Sequence, residues 1–158
     1  MRGKVLRKAV CSFCVLLLTL SLGAICAFAS PDYIAADTVS TKDGLITVCA
    51  PEQASSSTTN QKLAISAVAS PGTIVTVYRY DSGSGYYQKI WANGAPLEAS
   101  VGSSWLFATQ VDLQPGLNQF LVRGAWDENT YSVARFDVNL LNQGFMDRVK
   151  GVITVIFN

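Results

Sequence analysis

The sequence predicts an all-β protein, a sandwich of two sheets with about seven strands and a short C-terminal helix or extra strand. Three observations carry this. Between Leu45 and Leu141, runs rich in Val, Ile, Thr, Tyr and Phe alternate apolar with polar residues, the period of two shown by a half-buried strand. Turn signals separate these runs at the spacing of a sandwich, about eight to twelve residues. Glycine and proline recur at Pro51, Pro71-Gly72, Gly83-Ser84-Gly85, Asn93-Gly94 and Pro115-Gly116, too often for a helical bundle.

Taken in order, residues 45–49 form a short β-branched run that Pro51 ends, and the polar stretch 55–60 reads as a solvated loop. Residues 62–69 alternate, with Leu63, Ile65, Ala67 and Ala69 on one face. After Pro71-Gly72, residues 73–80 are β-branched and aromatic throughout, the strongest strand of the chain, and Asp81 to Gly85 break it. Residues 86–91 form a further strand before Asn93-Gly94 and Pro96. Residues 105–113 alternate again, with Phe107, Thr109, Val111 and Leu113 together. Gln114-Pro115-Gly116 turns into residues 117–126, and Asp127-Glu128-Asn129 turns into residues 131–141.

The two ends read differently. Arg2, Lys4, Arg7 and Lys8 precede an apolar run from residue 9 to 28, which closes on Ala27-Phe28-Ala29 before Ser30-Pro31. Basic, apolar and then small residues make a secretory signal peptide, residues 1–29, cleaved before Ser30. An uncleaved anchor and lipidation at Cys26 are the rivals; Pro31 and the small residues favour cleavage, and the bulky Ile25 disfavours lipidation. Residues 30–43 are polar and turn-prone, a flexible leader to the domain at 44–141. In the tail, residues 142–158, Phe145, Val149, Val152 and Ile156 fall at helical spacing with Met146 and Ile153 beside them. The β-branched run from Val152 and the interrupting Gly151 keep an eighth strand open.

Removing the signal changes the bulk properties. It takes four of the 12 basic residues and none of the 11 acidic ones, so the exported chain carries a net charge of −3. That leaves no electrostatic footprint for nucleic acid. Of the four cysteines only Cys49 remains, which excludes an intrachain disulfide and reads as a small apolar filler in a strand. An intermolecular disulfide or a reactive thiol is the other use of such a residue.

The chemistry of catalysis is sparse. With no histidine, nucleophile–base pairs fail, and zinc loses its usual ligands. No Gly-x-Ser-x-Gly elbow and no Asp-x-Asp-x-Asp calcium loop occurs. The acidic residues are scattered, and the one cluster, Asp127-Glu128-Asn129, is explained as a turn. A paired-carboxylate hydrolase would need a cleft that no insertion supplies. The reading is no enzyme, no catalytic residue, no metal and no cofactor.

The order Val48, Pro51-Glu52, Leu63 and Ile65, Pro71-Gly72-Thr73 with Val75 and Val77, Val101-Gly102, Phe107, Val111-Asp112-Leu113 and Gly116-Leu117-Asn118 resembles the bacterial immunoglobulin-like domains of Gram-positive exported and surface proteins. The resemblance covers about residues 44–141 and implies an immunoglobulin-like two-sheet sandwich, an architecture that hosts many unrelated roles. The segment from Asp81 to Val101 is longer and more aromatic than a minimal member needs, and a Cys…Trp…Cys core is absent.

In such a sandwich the strand at 73–80 neighbours 117–126, which neighbours 131–141. With Val75, Val77, Phe120, Val122, Phe136 and Val138 inward, the outer face carries Tyr78, Tyr80, Leu121, Arg123, Val133 and Arg135. Aromatic rings flanked by arginines suit sugar or protein recognition, so Tyr78, Tyr80, Arg123 and Arg135 are the candidate ligand-binding residues. The expected function is a secreted, non-catalytic domain for extracellular recognition or cell-envelope association, with a carbohydrate-binding module on that tyrosine/arginine face as the alternative. The expected partners are a cell-surface protein or glycan, or a second copy through the tail. A membrane enters only with an uncleaved signal or a tail docked on it.

Overall fold

The computed structural model describes residues 29–142 and Gly144. Residues 1–28 of the expected signal peptide and the apolar stripe of the tail, expected as a helix or strand, lie outside the described residues.

The described chain is all-β. Its strands are β1 (Tyr33–Ala35), β2 (Ile46–Ala50), β3 (Ser55–Thr58), β4 (Lys62–Ala69), β5 (Ile74–Asp81), β6 (Tyr86–Lys89), β7 (Trp91–Ala92), β8 (Ala95–Pro96), β9 (Glu98–Ser100), β10 (Leu106–Asp112), β11 (Gly116–Ala125) and β12 (Tyr131–Leu140). The larger sheet runs β1-β6-β5-β11-β12-β3, with β9 on the same edge of β5 as β6; the smaller runs β10-β4-β2. The expected neighbours are found: β5 pairs β11 with Val77 opposite Val122, and β11 pairs β12 with Phe120 opposite Phe136.

The core lies between these sheets. Val75, Val77, Phe120, Val122, Phe136 and Val138 face Ile65, Ala67, Phe107 and Val111, all buried. Phe120 and Phe136 stack with ring centroids 5.3 Å apart. Asn118 is buried beside the turn before β11, where its side chain accepts from the Gln114 N–H at 2.8 Å and donates to the Gln114 and Gly116 carbonyls at 2.7 and 3.0 Å. Those bonds hold a turn in which Gly116 has φ +86°, a backbone region that glycine enters without a Cβ penalty.

Four departures from the sequence expectations bear on the surfaces of the domain. The stretch 55–60 contains β3, which pairs in parallel with β12 from Ser55↔Asp137 to Thr58↔Leu140. It is a polar edge strand held by backbone bonds, so no apolar alternation marks it. The strand expected at 86–91 ends at Lys89, and Trp91 to Pro96 form a separate hairpin over Asn93-Gly94, both at positive φ. Cys49, expected as a buried filler, is exposed: it lies on the outward face of β2 in phase with Thr47, while Ile46 and Val48 face the core.

The fourth departure matters most. Residues 30–43, expected to be a flexible leader, form a strap against the larger sheet. Its β1 extends the edge through Ile34↔Tyr87. The chain then crosses the outer face to the opposite side, where the Thr41 and Lys42 N–H groups donate to the Tyr131 carbonyl at 2.9 and 3.0 Å and the Ser40 hydroxyl accepts from the Val133 N–H at 3.0 Å.

Candidate recognition surfaces

The face predicted to carry the binding residues points outward, but the strap covers it. Tyr78 is 0% exposed and packs with Ile34, Tyr87 and Leu121 in a second apolar cluster, and Arg123 is only 3% exposed. Tyr80 is partly buried and meets Tyr87 edge-on at 5.3 Å. Arg135 alone of the four remains exposed, and its guanidinium is occupied by the Ala36 and Thr38 carbonyls of the strap. The expected open platform of Tyr78, Tyr80, Arg123 and Arg135 is therefore corrected: it is the seat of the chain's own N-terminal segment. The sheet-face alternation was read correctly; the cover on it was not.

Beneath the strap lies a polar cluster around Ser30. Its N–H points to Glu98 Oε2 at 3.3 Å, its hydroxyl accepts from Thr76 Oγ1 at 2.8 Å and from Arg123 Nη1 at 3.4 Å, and its carbonyl accepts from Lys89 Nζ at 2.5 Å. Lys89 is also ion-paired with Asp32 at 3.2 Å and Glu98 at 3.6 Å, its side chain 5% exposed. Arg123 stacks over the Tyr131 ring at 4.5 Å, and burial holds its guanidinium below the usual basicity. Tyr78 donates to the Pro31 carbonyl at 2.8 Å; burial raises its phenol well above the ordinary range, against the opposing pull of Arg123.

A different surface is open. Two tryptophans flank the turn at residues 70–73. Trp126 closes β11 and donates from Nε1 to Thr73 Oγ1 at 3.1 Å, with the Lys42 ammonium 3.9 Å above its ring. Trp105 precedes β10, its carbonyl accepting from the Ala69 N–H at 3.0 Å. Its φ is +60°, a left-handed backbone that a bulky side chain rarely adopts. Leu106 follows and stands opposite Val68 on the outer face of the smaller sheet. Trp105, Leu106 and Val68 are 51%, 51% and 41% exposed. The sequence reading put its binding residues on the larger sheet and missed this patch. The available signal was the phase of β10: if Phe107 faces inward, Leu106 faces solvent.

At the other end of the sandwich an open groove runs between Thr59 to Lys62, Pro115-Gly116 and Leu140 to Asn142. Among the described residues no group of three or more His, Cys, Asp or Glu side chains is gathered to hold a metal ion. Compared with known proteins, the chain matches no family and no curated sequence at a significant level. The all-β sandwich thus rests on the structure itself, and function has to be argued from its surfaces.

Proposed function

We propose that the chain is an exported, non-catalytic recognition domain of immunoglobulin-like type, acting outside the cell or at the cell envelope, and that it meets a protein partner through the Trp105–Leu106–Val68 patch. The immunoglobulin-like part draws on strand order. Strands β2, β4 and β10 face β5, β11 and β12 as strands A, B and E face C, F and G in that architecture. The export part draws on the basic, apolar and small-residue order of residues 1–29.

The observation that carries recognition is the exposed apolar patch at one end of the sandwich, with Trp105 held in a costly backbone conformation. Tryptophan and apolar neighbours ringed by polar loops make the hot centre of many protein interfaces, and strained backbone persists where the surroundings hold it. A carbohydrate reading on the sheet face loses its platform under the strap.

Labelled chain 30–158 is tested for binding to envelope fragments of the producing cells and on a glycan array, alongside a Trp105→Ala/Leu106→Ser variant. The expected result is binding to protease-sensitive envelope material, lost in the variant at unchanged fold, with a blank array. Array binding competed by free sugar would move the protein to the carbohydrate class. Binding by neither route would remove the recognition reading.

A further inference from the structure

We propose that the cluster around Ser30 is a seat for a free chain terminus. Cleavage after Ala29 places the new α-ammonium of Ser30 on Glu98 and fastens the strap over the tyrosine/arginine face. The inference rests on the reading of residues 1–29 as a cleaved leader, and adds a role for the end that cleavage creates.

The boundary between exposed and buried chain falls at that bond. Ala29 is exposed, whereas Ser30 is buried. All three of its polar atoms are engaged by side chains from four strands: Thr76 of β5, Lys89 of β6, Glu98 of β9 and Arg123 of β11. A strap that only had to cover an apolar face would need Ile34 and backbone pairing. Capture of an N-terminal amine in a polar nest is a recognised binding mode.

Hydrolysis of the Ala29–Ser30 amide by an export peptidase consumes one water. The Ala29 carbonyl carbon gains an oxygen and leaves as a carboxylate, and the Ser30 nitrogen becomes an ammonium. Before cleavage Glu98 Oε2 faces a single neutral N–H from Ser30; afterwards it faces a cation with three donors. Lys89 and Arg123 already bring two buried cations to this cluster, with Asp32 at its rim. A third is tolerated only through the Glu98 carboxylate, so the processed terminus and Glu98 are strongly coupled.

The test is a cycle of four proteins: a chain released from a tag so that Ser30 is its first residue, the same chain with Phe28-Ala29 in front, and each with Glu98→Gln. Melting temperature and amide exchange across β1 are measured. The expected result is a higher melting temperature for the Ser30 start and exchange at β1 about tenfold slower, the scale of one charged hydrogen bond. With Glu98→Gln the advantage should vanish or reverse. If Glu98→Gln does not fold, Glu98→Asp, which withdraws the carboxylate by one methylene, serves in its place. Equal behaviour of the two starts, or a gap that survives loss of the carboxylate, overturns the inference. N-terminal sequencing of exported protein reports separately on the leader: a first residue other than Ser30 overturns that reading, whatever the cycle shows.

Discussion

The phenol of Tyr78 donates a 2.8 Å hydrogen bond to the carbonyl of Pro31, tying the centre of the larger sheet to the strap 47 residues earlier in the chain. A tyrosine chosen from the sequence as an exposed platform is instead a buried tether.

The first expected outcome concerns that tether. Tyr78→Phe removes the bond and leaves the Pro31 carbonyl unpaired, a loss of roughly 0.5–1.5 kcal/mol in denaturant unfolding. The phenol is raised above its ordinary value by burial, so the folded state keeps a proton that the unfolded chain releases above about pH 10. Its contribution is therefore complete below that pH and lost as pH rises beyond it. Stability measured from pH 9 to 11 should fall more steeply in the parent than in Tyr78→Phe; parallel curves would show that Tyr78 carries no such linkage.

Phe120 is fully buried and stacked on Phe136. Phe120→Ala should cost about 3–5 kcal/mol, most of it from the cavity left between sheets that cannot close on it. Chemical denaturation measures this directly. A midpoint within experimental error of the parent would mean the site collapses, against the packing described.

Gly124 lies on β11 against β2. A Cβ there would meet Ile46 Cβ at 2.9 Å, closer than such atoms approach. Gly124→Ala should destabilise by about 1–3 kcal/mol through overpacking. Gly83→Ala is the control, because its Cβ would find Asp81 no nearer than 3.5 Å. Equal midpoints for the two variants would show that β2 yields freely at Ile46.

At Trp105, two truncations separate backbone from side chain. Both Trp105→Ala and Trp105→Gly remove the indole, but only glycine accepts φ +60° without a Cβ penalty. The glycine variant should be the more stable by about 1 kcal/mol. Thermal melts of the pair test this, and both should lose envelope binding.

The legible part of the fold was the part written in residue pattern. β4, β10 and β12 alternate buried with more exposed residues, and β5 and β11 are β-branched and aromatic runs buried on both faces; the phase of apolar residues placed Val77, Phe107 and Phe120 in the core. β3 and the strap escaped because neither is held chiefly by apolar side chains. β3 offers its backbone to β12. The strap contributes Ile34 and, beyond it, mostly carbonyl acceptors at Ser30, Pro31, Ala36 and Thr38. Backbone acceptors are the same in every residue, so no composition betrays them. The candidate site failed for the same reason: Tyr78 and Arg123 were placed on the correct face, while what lies over them left no mark in their own strands. Cys49 was misplaced because it was read as an apolar filler by residue type, although the alternation with Ile46 and Val48 inward already puts Cys49 on the outward face of β2.

The strap also joins the two ends of the described chain. Its partners lie far along the chain: Thr76 is 46 residues from Ser30, Arg123 is 93 from it, and Arg135 is 97 from Thr38. The strap precedes in the chain every strand it docks on, and its seat exists only once β5, β6, β9, β11 and β12 have assembled. Contacts of such sequence separation close slowly. A chain whose strands have paired but whose strap is still free leaves the outer face of its larger sheet uncovered.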